Sequence, residues 1–133
     1  MLRFVCVALV AFAGLSMTSG QAPAHSAFKN ALQKKYEFQS VSCNACHEKG
    51  KPKTERNEFG KAFDEGLSAL KFDGLSITEK FESVKDNEAE KKAFEAVMAE
   101  SFLAVLEEVK TKESSTGETW GAMLEAKSIE GIK

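Results

Sequence analysis

The chain has 133 residues, two prolines and nine glycines, with 43% hydrophobic and 29% charged side chains, which is the make-up of one globular domain rather than a disordered or low-complexity polypeptide. A formal charge of −2 supplies no basic field and excludes nucleic-acid binding as the main role. With three cysteines and two histidines, any metal or cofactor chemistry must come from a very short set of side chains.

The chain opens as a targeting segment. Arg3 is followed by an apolar run from Phe4 to Leu15, and then by small and polar residues from Ser16 to Gly20. This is the order of a signal peptide over residues 1–20, with cleavage after Gly20 or after Ala24. Pro23 argues against cleavage after Ala22. The apolar run is too short to cross a bilayer, which takes about 20 residues. Cys6 would leave with the leader. The expected product is an exported, periplasmic domain over 25–133 that keeps two cysteines, Cys43 and Cys46.

The remaining segments read as helices. Ser26 is placed to cap a first helix with Phe28, Ala31, Leu32 and Tyr36 on one face. A polar stretch leads to Cys43, and Glu48 to Arg56 forms a basic loop. Asn57 is placed to cap a second helix carrying Phe59, Ala62, Phe63, Leu67 and Leu70, broken by Phe72-Asp73-Gly74. Ser76 with Glu79 forms a capping box for a short helix with Ile77, Phe81 and Val84 inside. Asn87 with Glu90 opens the longest helix, about 88–112, whose stripe is Phe94, Met98, Phe102, Val105 and Val109. After a Ser/Thr/Gly loop, a last helix near 119–127 carries Trp120, Met123 and Leu124. Residues 128–133 are expected to fray. No strand-like alternation is present, so the expected class is all-α, with about five short helices. Faces this short bury a modest core, and an apolar cofactor is a natural part of it.

Cys43-Asn44-Ala45-Cys46-His47 carries the chemistry. It is the C-x-x-C-H sequence of covalent haem attachment. Two thiols at this spacing reach both vinyl groups of one haem, and the adjacent imidazole meets the iron from one face. Attachment takes place outside the cytoplasm, so leader and motif support each other. The competing readings are a Cys43–Cys46 disulfide, a redox pair lacking its usual βαβ setting, and a zinc site from Cys43, Cys46, His47 and His25 without a recognised spacing. With one haem c, His47 is the proximal iron ligand, and its second ring nitrogen is expected to donate to a carbonyl near the Gly50–Pro52 loop. For the distal position the candidates are Met123, Met98, His25, a lysine, or no protein ligand.

Phe28, Tyr36, the pentapeptide, Lys51-Pro52-Lys53, Arg56-Asn57-Glu58-Phe59-Gly60-Lys61-Ala62 and Thr119-Trp120-Gly121 together resemble small single-haem c-type cytochromes. More closely they resemble a planctomycete-type family of short secreted monohaem proteins, over about 27–131. The resemblance implies a small cytochrome c-like domain packed around one haem, acting as a periplasmic electron carrier and not an enzyme. Some relatives use a distal cysteine and bind gases, but the mature chain has no spare cysteine for that ligation.

Three further residues have two readings each. Arg56 and Asn57 are candidates to hold the haem propionates, or else a loop arginine and an N-cap. Trp120 either donates to a propionate or fills the core. Lysines from Lys49 to Lys61 form either a basic rim suited to docking on redox partners with acidic surfaces or a simple hydrated loop. The first functional expectation is Fe(III)/Fe(II) electron transfer. The second is a gas-binding haem protein with an open or displaceable sixth position. A haem peroxidase ranks last, because His25 is the only spare histidine.

Overall fold

The computed structural model describes the backbone of residues 24–133 and side chains from Ser26 onward. The expected leader at 1–20, Cys6 and the His25 side chain lie outside the described residues. Six α-helices follow one another: α1 (Ala24–Tyr36), α2 (Glu58–Ala62), α3 (Asp64–Ala69), α4 (Ile77–Val84), α5 (Glu88–Val109) and α6 (Trp120–Glu125). A single 3₁₀ turn covers Cys43–Ala45. Among the described residues there is no strand, only isolated bridges.

Most boundaries follow from local chemistry. Ser76 accepts from the Glu79 amide while the Glu79 carboxylate accepts from the Ser76 amide, completing the capping box of α4. Asn87 caps α5 by accepting from the Glu90 amide at 3.2 Å. α1 begins before Ser26, so that residue lies within its first turn rather than at its cap. Its other end closes where Glu37 takes a left-handed φ of 52° and the Phe38 amide reaches back to the Gln33 carbonyl at 3.1 Å. Asp73 and Gly74 both have positive φ, and Phe72 and Leu75 exchange backbone hydrogen bonds across them. This is the tight primed turn that Asp-Gly favours, here separating helices instead of strands.

The second helix expected from the sequence divides at Phe63, which raises the helix number from about five to six. The Phe63 amide bonds to the Gly60 carbonyl at 3.2 Å, a three-residue step that tightens the chain there. The single hydrophobic face survives the break, because Phe59 and Phe63 are both buried.

α5 is the spine of the domain, with α1 and α4 packed along it. Its Phe94 and Met98 join Ile77, Phe81 and Val84 in one cluster. Its Phe102, Val105, Leu106 and Val109 join the larger core with Leu32, Phe59, Phe63, Trp120 and Leu124.

The expectation of a frayed C-terminus is corrected. Lys127 adopts a φ of 53°, and the Ser128 amide bonds to the Met123 carbonyl at 3.0 Å, which turns the chain back on itself. Ile129 and Ile132 are then buried, and Val41 and Ile132 form an antiparallel bridge. Two isoleucines removed from water outweigh the tendency of a short tail to remain loose.

Candidate cofactor site

The Cys43–Ala45 turn is held from three sides. The Ser42 amide donates to the Gly131 carbonyl at 2.7 Å, fastening the tail beneath it. Within the turn, the Cys46 and His47 amides donate to the Cys43 carbonyl at 3.3 and 3.0 Å. Ala45 is buried, whereas Cys43 is exposed and Cys46 half-buried. On the third side stands Asn57. Its side-chain amide donates to the Asn44 carbonyl at 2.9 Å and the Ala45 carbonyl at 3.1 Å. Its side-chain oxygen accepts from the Gly60 amide at 2.9 Å, capping α2. Its backbone amide donates to the Cys46 carbonyl at 3.1 Å. One residue thus joins the start of α2 to the back of the motif.

His47 is 5% exposed. It pairs with Arg56 in an antiparallel bridge, and the Glu48 amide bonds to the Glu55 carbonyl at 3.1 Å, so the basic loop folds back against the motif. The backbone carbonyls of Glu55 and Lys53 stand close to the imidazole, a few residues beyond the Gly50–Pro52 segment expected from the sequence. Burial holds its pKa below the usual value, with the positive charges of Lys53 and Arg56 acting the same way and the two carbonyls opposing them. Burial and each of these positive neighbours favour the neutral ring, the form whose lone pair can bind a metal. Burial also pushes the Cys46 thiol up to about 11, against the Arg56 charge and with the help of neighbouring Cys43.

Cys43, Cys46 and His47 line one cleft. Its other walls are largely hydrocarbon: Phe28 and Leu32 of α1, Phe63, Leu67 of α3 and Phe102 of α5. The cleft as it stands leaves only about 60 Å³ of room, well below the roughly 300–1,000 Å³ of ligand sites, so a bulky occupant enters only if the walls part. The site is a slot rather than a chamber. The Phe102 ring stacks with Phe28 at 4.8 Å and with Phe63 at 4.7 Å, both nearly parallel. The polar groups around the slot besides the motif are Lys29, Ser42 and Arg56.

The remaining sequence candidates are dispersed. Met98 is fully buried in the α4–α5 cluster, and Met123 is partly buried against the main core; neither lines the cleft. Arg56 lines the cleft and forms an ion pair with Asp64. Asn57 caps α2 as expected and directs its amide hydrogens at the motif carbonyls. Trp120 packs against Phe59 at 5.1 Å in the core, away from the cleft. Lys29 was not singled out by sequence, although it stands three residues before Leu32 and so shares its face of α1. Both cysteines are free thiols, and the described residues gather no cluster of three or more His, Cys, Asp or Glu able to hold a bare metal ion.

No protein-family model, curated protein or solved structure matches this chain. Among the described residues, no helix is long and apolar enough to cross a membrane.

Proposed function

We propose that the chain is an exported electron-transfer protein carrying one covalent haem c, with Cys43 and Cys46 as attachment residues and His47 as the proximal iron ligand. The observation that carries this reading is the meeting of two thiols and one buried imidazole along a single, largely apolar slot. A planar macrocycle suits such a slot, where the mutual stacking of Phe28, Phe102 and Phe63 would give way to stacking on its faces. When bound, the haem supplies a one-electron Fe(III)/Fe(II) couple. The chain's residues bind and position it. Cys43 and Cys46 would each hold the group through a thioether, formed by adding S–H across a vinyl double bond (one C–S and one C–H bond, no net oxidation). His47 keeps its ring in place through Glu55 and Lys53. The hydrocarbon walls keep water from the iron. Exposed Lys49, Lys51 and Lys61 flank the motif and suit transient docking on acidic redox partners.

A second reading, a gas-binding haem protein, is favoured by one observation: neither methionine reaches the slot. One experiment separates them. The chain is expressed with cytochrome c maturation, weighed intact, reduced and exposed to carbon monoxide. The carrier is expected to gain the mass of one haem and to show a six-coordinate ferrous spectrum that the gas leaves unchanged. Rapid conversion by the gas favours the second reading, and a colourless product without added mass ends both.

A further inference from the structure

We propose that Lys29 supplies the sixth bond to the iron, opposite His47. The inference rests on the haem reading and goes beyond it by naming the distal donor. A sixth ligand must line the slot and own a lone pair. Cys43 and Cys46 are consumed as thioethers, and His47 takes the proximal position. The Arg56 guanidinium stays protonated and is paired with Asp64. Ser42 belongs to the same wall as the motif, immediately before Cys43. Of the α1, α3 and α5 residues that line the slot, Lys29 alone carries a side chain that is not purely hydrocarbon.

The setting of Lys29 suits this task. It is half-buried, and among the described residues it forms no ion pair that a bond to iron would have to break. Its neighbour Phe28 is stacked on Phe102, which anchors this turn of α1 against α5. The four-carbon stem gives the amine reach along the apolar wall. To bind, the Lys29 ammonium releases one proton to solvent and its nitrogen lone pair forms the new bond; no electron changes hands. Two nitrogen donors without a thioether place the couple lower than histidine–methionine ligation would.

The test uses the matured holoprotein, first weighed intact, as wild type, Lys29→Ala and Lys29→Arg. Wild type is expected to be low-spin and six-coordinate in the ferric state. Both variants are expected to retain the haem mass, to turn high-spin, and to bind carbon monoxide in the ferrous state at least about tenfold faster, as removal of a competing closed state requires. Arginine keeps the charge but cannot ligate, so a Lys29→Arg spectrum like wild type overturns the proposal and leaves only a charge role. An unchanged Lys29→Ala spectrum, or a high-spin wild type, overturns it too. A wild-type mass lacking the macrocycle instead overturns the haem reading itself, which keeps the two failures distinct.

Discussion

A Cβ atom on Gly60 would lie 2.0 Å from the carbonyl oxygen of Cys46. The obstacle is backbone, not the end of a flexible side chain, so α2 can approach the Cys43–His47 segment only where no side chain intervenes. Gly60→Ala must therefore push α2 away from Cys46 and loosen Asn57 with it. The expected loss is about 3 kcal/mol or more, at the upper end of overpacking costs. Urea unfolding measures it, and a midpoint unchanged from wild type would refute the close approach.

The same neighbourhood separates two asparagine caps that look alike in sequence. Asn87 only accepts, from the Glu90 amide, so Asn87→Asp preserves its function and should shift stability by less than about 0.5 kcal/mol. Asn57 both accepts from Gly60 and donates to two carbonyls of the motif. Asn57→Asp keeps the cap but turns a carboxylate toward those carbonyls, and is expected to cost about 2–3 kcal/mol. Parallel denaturation of the two variants tests the contrast; equal effects would mean that Asn57 is an ordinary cap.

The helices were legible in the sequence because their signals are local. Ser76 with Glu79, Asn57 and Asn87 all cap helices where residue type and spacing place them. The role of Gly60 was legible in part, since a glycine within an apolar helical pattern points to a close approach. What it approaches depends on Cys46, which is distant along the chain. Phe38 and Val41 lie in a stretch without helical period, yet both are buried, because the tail covers them through Ile129 and Ile132. A pairing between residues 40–42 and 131–133 leaves no trace in either segment alone. Of the candidate site, the Cys-x-x-Cys-His spacing is local to the sequence, whereas the rest of the cleft is assembled from α1, α3 and α5 and emerges only when they pack.

That tail pairing has a measurable consequence for the motif. Ser40 and Lys133 exchange backbone hydrogen bonds at 3.1 and 3.0 Å, and Ser42 donates to Gly131 at 2.7 Å. Ile132→Ala should cost about 2–3 kcal/mol, as for other large-to-small core changes. Deleting residues 128–133 should also expose the Ser42 amide, which hydrogen exchange would register as lost protection. Retained protection of that amide would show that the tail does not hold the turn.

Acid should weaken the contact between α1 and α5. Glu107 of α5 is gripped by Lys110 and by Lys35 of α1, and these hydrogen bonds lower its pKa from 4.5 to about 2. A depressed carboxylate contributes stability that is complete above its unfolded value and fades as pH falls from about 4.5 toward about 2. The pair is solvent-exposed, so the effect is small and shrinks further at high salt. Glu107→Gln should flatten this part of the stability–pH curve in low salt and leave pH 7 to 5 unaffected. An identical acid limb in wild type and variant would assign the loss to other carboxylates.

The two internal methionines provide the sharpest contrast between packing and ligation. Met98 is fully buried in a cluster with Ile77, Phe81, Val84 and Phe94 and does not line the slot. Met98→Leu conserves volume and should cost less than about 1.5 kcal/mol, while Met98→Ala leaves a cavity and should cost about 2–5 kcal/mol. Neither change should alter the ferric spectrum of the matured protein, nor should Met123→Leu, because neither thioether lines the space beside His47. Stability and colour thus answer separately. A destabilised Met98→Ala protein with an unaltered spectrum fits a residue that packs. A spectrum that changes with Met98→Leu or Met123→Leu would show that the slot reorganises on binding haem to bring in a sulfur ligand, and would displace Lys29 from the distal position.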